Sequence, residues 1–215
     1  MISTKSKVAT QLIEGPAGKL EIMVEESGEP EKQAAWGIVC HPHPLYGGTM
    51  HNKVVTTLGK TFQNMGVNTV LFNFRGVGQS EGKYGNGAGE LEDLLAVIAW
   101  VQRERKHDIW LAGFSFGAYI AASGAIHVPE AKKLVTVAPA VEHFPMQDLP
   151  PITCPWVLVQ GELDDVVPPQ AVLAWAESRD PKPIIIRFPE AGHFFHGQLA
   201  ELRARITEAL QSTNY

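Results

Sequence analysis

Short apolar runs alternate along the chain with longer stretches in which apolar residues recur every three or four positions. The short runs, at residues 19–25, 34–40, 67–74, 108–113, 133–138, 156–160 and 183–188, predict strands. The longer ones, near 52–65, 88–105, 116–126, 170–178 and 198–210, predict helices. A strand–helix alternation forces parallel pairing through crossover connections, and a parallel sheet needs helices on both faces. The expected fold class is therefore α/β, with a doubly wound, mostly parallel sheet. The beginning of the chain reads differently. Two strand-like runs, 8–13 and 19–25, flank the turn signal Gly15-Pro16-Ala17-Gly18, with Ser27-Gly28-Glu29-Pro30 following. Antiparallel strands at one sheet edge are expected there.

Composition narrows the class. The 215 residues are 45% hydrophobic and 19% charged, enough apolar surface for a sizeable core and too much for disorder, a coiled coil or a fibre. No internal repeat or linker marks a boundary, so residues 1–215 are expected to form one domain. A net charge of -5 gives no overall basic field, so nucleic acid is not an expected partner. Cys40 and Cys154 lie in apolar or Pro-flanked stretches and read as free buried thiols. Residues 1–18 carry Lys5 and Lys7 without a following apolar run of signal length, and no stretch approaches 18 apolar residues. A cytoplasmic protein with no membrane partner is expected.

Candidate chemistry begins at Gly113-Phe114-Ser115-Phe116-Gly117. This matches the G-x-S-x-G elbow, in which flanking glycines allow a tight strand-to-helix turn with serine at its apex. Context decides whether so short a pattern means anything. Here the apolar run 109–112 precedes it and the small-residue run 118–122 follows, the strand and helix the elbow requires. A serine hydroxyl is a weak nucleophile until a base takes its proton, and that base needs an orienting carboxylate. In this arrangement the acid and then the base follow in chain order. Gly161-Glu162-Leu163-Asp164-Asp165-Val166-Val167-Pro168 comes directly after an apolar run, where strand ends open toward a ligand. Asp164 is preferred over Asp165 as the inward-turned acid, with Glu162 and Asp165 read as solvated loop charges. Of the two later histidines, His193 follows Gly192 in a loop and is the expected base, whereas His196 sits nearer the next helix start.

An oxyanion hole needs backbone donors. One is expected from Phe116 and the other from the loop His41-Pro42-His43-Pro44-Leu45-Tyr46-Gly47-Gly48. Pro42 and Pro44 have no N–H, so Leu45 is assigned as the first amide after the second proline, with Tyr46 next. His41, His43 and His51 are not read as metal ligands, since no carboxylate or further ligand accompanies them at metal spacing. His41 or His43 is expected to hold the loop by hydrogen bonding to neighbouring backbone. Gly76-Val77-Gly78 lacks the further glycine and helix of a dinucleotide site, so no cofactor is expected there.

Together "HPHPLYGGTMHNKVV", "NFRGVGQSEG", "GFSFGA", "GELDDVVP" and "GAGHFF" resemble the α/β-hydrolase superfamily, in particular its small capless bacterial serine hydrolases. The resemblance covers about residues 19 to 210. It implies Ser115 as nucleophile, Asp164 as acid and His193 as base, and the Arg75 turn resembles the family's structural turn. Residues 139–155, where many relatives insert a lid, are too few for one and hold Pro145, Pro150, Pro151 and Pro155, so an open, shallow site is expected. Phe114, Phe116, Phe144, Phe194 and Phe195 are candidates to line an apolar acyl pocket. The leading expectation is an ester or thioester hydrolase acting on a small-molecule acyl substrate with no cofactor or metal. Peptide or amide hydrolysis on the same residues, and a non-catalytic interaction module retaining the fold, are the alternatives.

Overall fold

A computed structural model describes residues 8–27, 35–103 and 106–213. The expected turn at 27–30 lies outside them beyond Ser27, as do Lys5 and Lys7, Ala34 of the expected strand 34–40, and the last two residues of the helix expected over 88–105.

Among the described residues eight strands run in chain order: β1 (Val8–Gly15), β2 (Gly18–Glu25), β3 (Ala35–Cys40), β4 (Asn68–Phe72), β5 (Asp108–Phe114), β6 (Ala131–Val137), β7 (Trp156–Gly161) and β8 (Ile184–Phe188). They form one sheet in the order β1-β2-β4-β3-β5-β6-β7-β8. The first two form an antiparallel hairpin whose second strand pairs antiparallel with β4, and every later pairing is parallel. The hairpin follows from Gly18, whose φ of 115° no side-chain-bearing residue adopts easily.

Among the described residues five helices cover the sheet: α1 (Lys53–Asn64), α2 (Ala88–Gln102), α3 (Phe116–His127), α4 (Pro169–Glu177) and α5 (Leu199–Ser212). Side-chain alternation along each strand divides the interior in two. Ile38, Val70, Leu111 and Leu158 face a core shared with α2, α3 and α4, while Val39, Leu71, Ala112 and Val157 face one shared with α1 and α5. Every central strand is thus apolar on both faces, as a parallel sheet between helix layers demands. Strand β4 ends at Phe72, two residues before its apolar run does. The Asn73 amide still donates to the Glu21 carbonyl of β2, but the Phe74 amide turns to His41 Nε2, so the ladder loses its next donor. Cys154 is only half-buried, against the expectation of a buried thiol, while Cys40 is fully buried. No helix among the described residues is long and apolar enough to cross a membrane.

Candidate active site

Ser115, Asp164 and His193 each follow the carboxyl end of a parallel strand. Ser115 stands between β5 and α3 with φ 56° and ψ -117°, a backbone state costly for any residue with a Cβ. Its amide donates to the Val137 carbonyl of β6 at 2.9 Å and its carbonyl accepts from the Ala118 amide at 3.0 Å, bonds that hold the turn. The glycines of the pattern are sterically required. A Cβ at Gly113 would overlap the Gly117 carbonyl oxygen, and one at Gly117 would overlap the carbonyl oxygen of Cys40.

Asp164 follows β7 and is turned inward, its side chain wholly enclosed. Oδ1 accepts from the amides of Val166 at 2.9 Å and Val167 at 2.7 Å. Oδ2 accepts from His193 Nδ1 at 2.8 Å and from Gln160 Nε2 at 3.2 Å. Burial alone would push this carboxyl up. The His193 hydrogen bond, the Val167 amide, the His193 charge and the Val166 amide together outweigh it and hold the carboxyl below its ordinary value. His193, after β8, is buried with its ring centroid 4.8 Å from that of Phe114. A carboxylate only accepts, so Nδ1 carries the proton toward Asp164 and neutral His193 keeps its lone pair on Nε2. Asp165 is exposed, Glu162 pairs with Arg187 at 2.6 Å, and His196 is exposed against the Phe194 ring.

The loop after β3 departs from expectation. Leu45 sits in a 3-10 turn, Pro44–Tyr46, where its amide donates to His43 Nδ1 at 3.2 Å, and the residue is 67% exposed. It does not line the cavity into which Ser115 opens; His43 and Phe116 do. Among the described residues the backbone N–H groups of His43 and Phe116 have no acceptor. The Leu45 amide is thus already engaged, whereas the His43 amide, which counting prolines skipped, is unengaged among the described residues. The signal was present, since His43 has an N–H between the two prolines. Both loop histidines bond neighbouring backbone as expected. His41 Nδ1 donates to the Pro42 carbonyl at 2.6 Å and its Nε2 accepts from the Phe74 amide at 3.0 Å. Burial, opposed by the Pro42 bond, lowers the His41 pKa to about 4.

The cavity beside Ser115 measures about 710 Å³ and is lined by His43, Tyr46, Tyr84, Asn86, Phe116 and Phe144 together with residues 140, 143, 145, 166 and 167. Of the five phenylalanines expected there, only Phe116 and Phe144 line it. Phe114 and Phe195 are fully buried in the α1/α5 core, and Phe194 is part-exposed beside His193. The segment 139–155 contains only one 3-10 turn, Met146–Asp148, and no lid helix.

Residues 37–153 match the family described as Hydrolase_4, serine aminopeptidase S33. A Coxiella burnetii alpha-beta serine hydrolase homologue is 46% identical, with TM-score 0.91 over 97% of this chain and 100% of that one. XC6422 from Xanthomonas campestris, described as an a/b serine hydrolase without lid, is 38% identical with TM-score 0.90, covering 97% of this chain and 96% of its own. RP471 of Rickettsia prowazekii is 37% identical over 158 residues, 71% of this chain and 66% of its own length, just under two thirds. With the family match spanning more than half its length and neighbours of this closeness, the chain belongs to the Hydrolase_4 (S33) family, within the branch of α/β serine hydrolases that carry no lid.

Proposed function

We propose that the chain hydrolyses carboxylic esters or thioesters through an acyl-enzyme. Ser115 Oγ attacks the acyl carbon while its proton passes to His193 Nε2, and the carbonyl electron pair moves onto oxygen, held by the amides of His43 and Phe116. Collapse breaks the bond to the alkoxide or thiolate, which takes the proton from His193. Water then attacks the acyl carbon, giving its proton to His193, and the second collapse frees the acid and returns the proton to Ser115. Asp164 holds the ring and stabilises the imidazolium throughout.

The observation that carries this reading is the enclosed Asp164–His193 contact at 2.8 Å, at the same strand ends as the strained Ser115. A buried carboxylate and histidine are costly to desolvate, and a positive φ at a serine costs on the order of 1–3 kcal/mol. An interaction module needs neither.

The family's description brings forward a second reading, aminopeptidase activity. Such an enzyme must grip the substrate's α-ammonium group. None of the residues lining the cavity is Asp or Glu, which favours a neutral acyl substrate. The test is labelling by a fluorophosphonate together with turnover of p-nitrophenyl esters and aminoacyl anilides. Labelling of wild type, its loss in Ser115→Ala, and turnover of esters over anilides are expected. An unlabelled wild type with no turnover overturns the reading.

A further inference from the structure

With Ser115 taken as nucleophile, the cavity wall beside it defines the acyl group it receives. That wall is an assembly of rings drawn from four separate segments: His43 and Tyr46 after β3, Tyr84 before α2, Phe116 at the start of α3, and Phe144 after β6. His43 is the hub, its centroid 4.8 Å from Tyr46, 4.8 Å from Tyr84, 5.1 Å from Phe116 and 6.0 Å from Phe144. Phe116 meets Phe144 nearly edge-on at 4.9 Å, and Tyr119 stacks behind Phe144 at 5.3 Å. Rings braced by one another are held in place before any ligand arrives. Tyr46 nonetheless leaves 87% of its surface open, so its ring is available to a ligand.

The chemistry of the wall is as specific as its shape. No Asp, Glu, Lys or Arg lines it, and burial keeps the pKa of the His43 ring below its ordinary value. Any apolar wall rewards burial of an alkyl group. A wall of ring faces and edges adds a quadrupolar attraction that, among neutral hydrocarbon groups, an aromatic ring returns and a saturated one does not.

We propose that this site selects acyl groups that carry an aromatic ring, delivered as a neutral ester or thioester, with the ring seated against His43, Tyr84 and Phe144. A volume of about 710 Å³ accommodates a phenylalkanoyl group and part of its leaving group.

The experiment compares p-nitrophenyl 3-phenylpropanoate with p-nitrophenyl 3-cyclohexylpropanoate. The two share a leaving group and chain, and the cyclohexyl compound is at least as bulky and apolar. Simple burial predicts equal kcat/KM or a cyclohexyl preference; aromatic recognition predicts a phenyl preference of about threefold to tenfold. Phe144→Leu, or Tyr84→Leu should that variant not fold, should bring the ratio to about one. The ratio is internal to each protein and does not depend on the fraction folded. A wild-type ratio at or below one overturns the proposal, and so does a ratio unchanged in both variants. Loss of all labelling and turnover would instead be failure of the hydrolase reading. In that event binding of 3-phenylpropanamide against 3-cyclohexylpropanamide, followed by ligand-observed NMR, decides the aromatic preference, and equal binding overturns it.

Discussion

His193 and Gln160 compete for one oxygen. The histidine reaches Asp164 Oδ2 at 2.8 Å, and the Gln160 amide reaches the same atom at 3.2 Å. Gln160 is fully buried, and its own carbonyl oxygen has no partner among the described residues. The amide must face this way, because its oxygen would repel the carboxylate. Part of the carboxylate's charge is thereby spent on a neutral donor instead of on the histidine.

Gln160→Met should therefore alter the site more than the fold. It removes a hydrogen bond to a charged group, worth about 1.5–3 kcal/mol, and one to the Gly161 carbonyl, worth about 0.5–1.5 kcal/mol, together with an orphaned buried oxygen that costs about 1–3 kcal/mol, so the stability loss should stay within about 2 kcal/mol. The acidic limb of kcat/KM should move to higher pH, because a carboxylate relieved of one donor holds its partner's proton more firmly. Urea unfolding and a pH–rate profile check both halves. A large stability loss with an unmoved limb would make Gln160 merely structural.

Asp164→Asn should lower kcat by a factor on the order of 10⁴, since an amide facing His193 favours the wrong tautomer. Exposed Asp165→Asn should leave it nearly unchanged. Steady-state kinetics of the two variants side by side is the check, and the opposite pattern would shift the acid by one residue.

The backbone donor at His43 is separable from its ring. His43 has φ -53° and ψ 124°, values proline accepts. His43→Ala keeps the N–H and loses the ring, whereas His43→Pro loses both. The proline variant should fall below the alanine variant by about 10²–10³ in kcat. Equal rates would return the second donor to another residue of the loop.

His41 links stability to pH. Its folded pKa, about 4, lies below the 6.5 of an ordinary histidine, so between these values the unfolded chain takes up a proton that the folded protein refuses. Its contribution is complete above pH 6.5, declines as pH falls toward 4 and is constant below that. The loss is bounded at on the order of 3 kcal/mol. Unfolding free energies at pH 7 and 4.5 should differ more in wild type than in His41→Asn, and an equal difference would assign the acid sensitivity elsewhere.

What the sequence made legible was local or periodic. The order of strands and helices follows from side-chain spacing, and Ser115 from five consecutive residues whose glycines have steric work to do. Asp164 could be preferred over Asp165 because only one of two adjacent side chains points inward. Other features depend on partners distant in the chain. The end of β4 is set by His41, 33 residues away from the Phe74 it engages. The Leu45 amide is captured by a side chain, which counting backbone donors does not reveal. Phe114 shares its strand face with Ala112, so alternation alone could have placed it in the α1/α5 core.

Ser115 is flanked by two phenylalanines that belong to different interiors: Phe114 to the layer beneath α1 and α5, Phe116 to the layer beneath α2, α3 and α4. Its coordinates are thus a compromise between two independently packed bodies. A methylene removed on either side of the sheet reaches the hydroxyl through one of these rings. Misplacement on the scale of an ångström already costs about a hundredfold in rate. Slack in either layer should consequently appear first as lost turnover, while the folded protein still looks intact by every bulk measure.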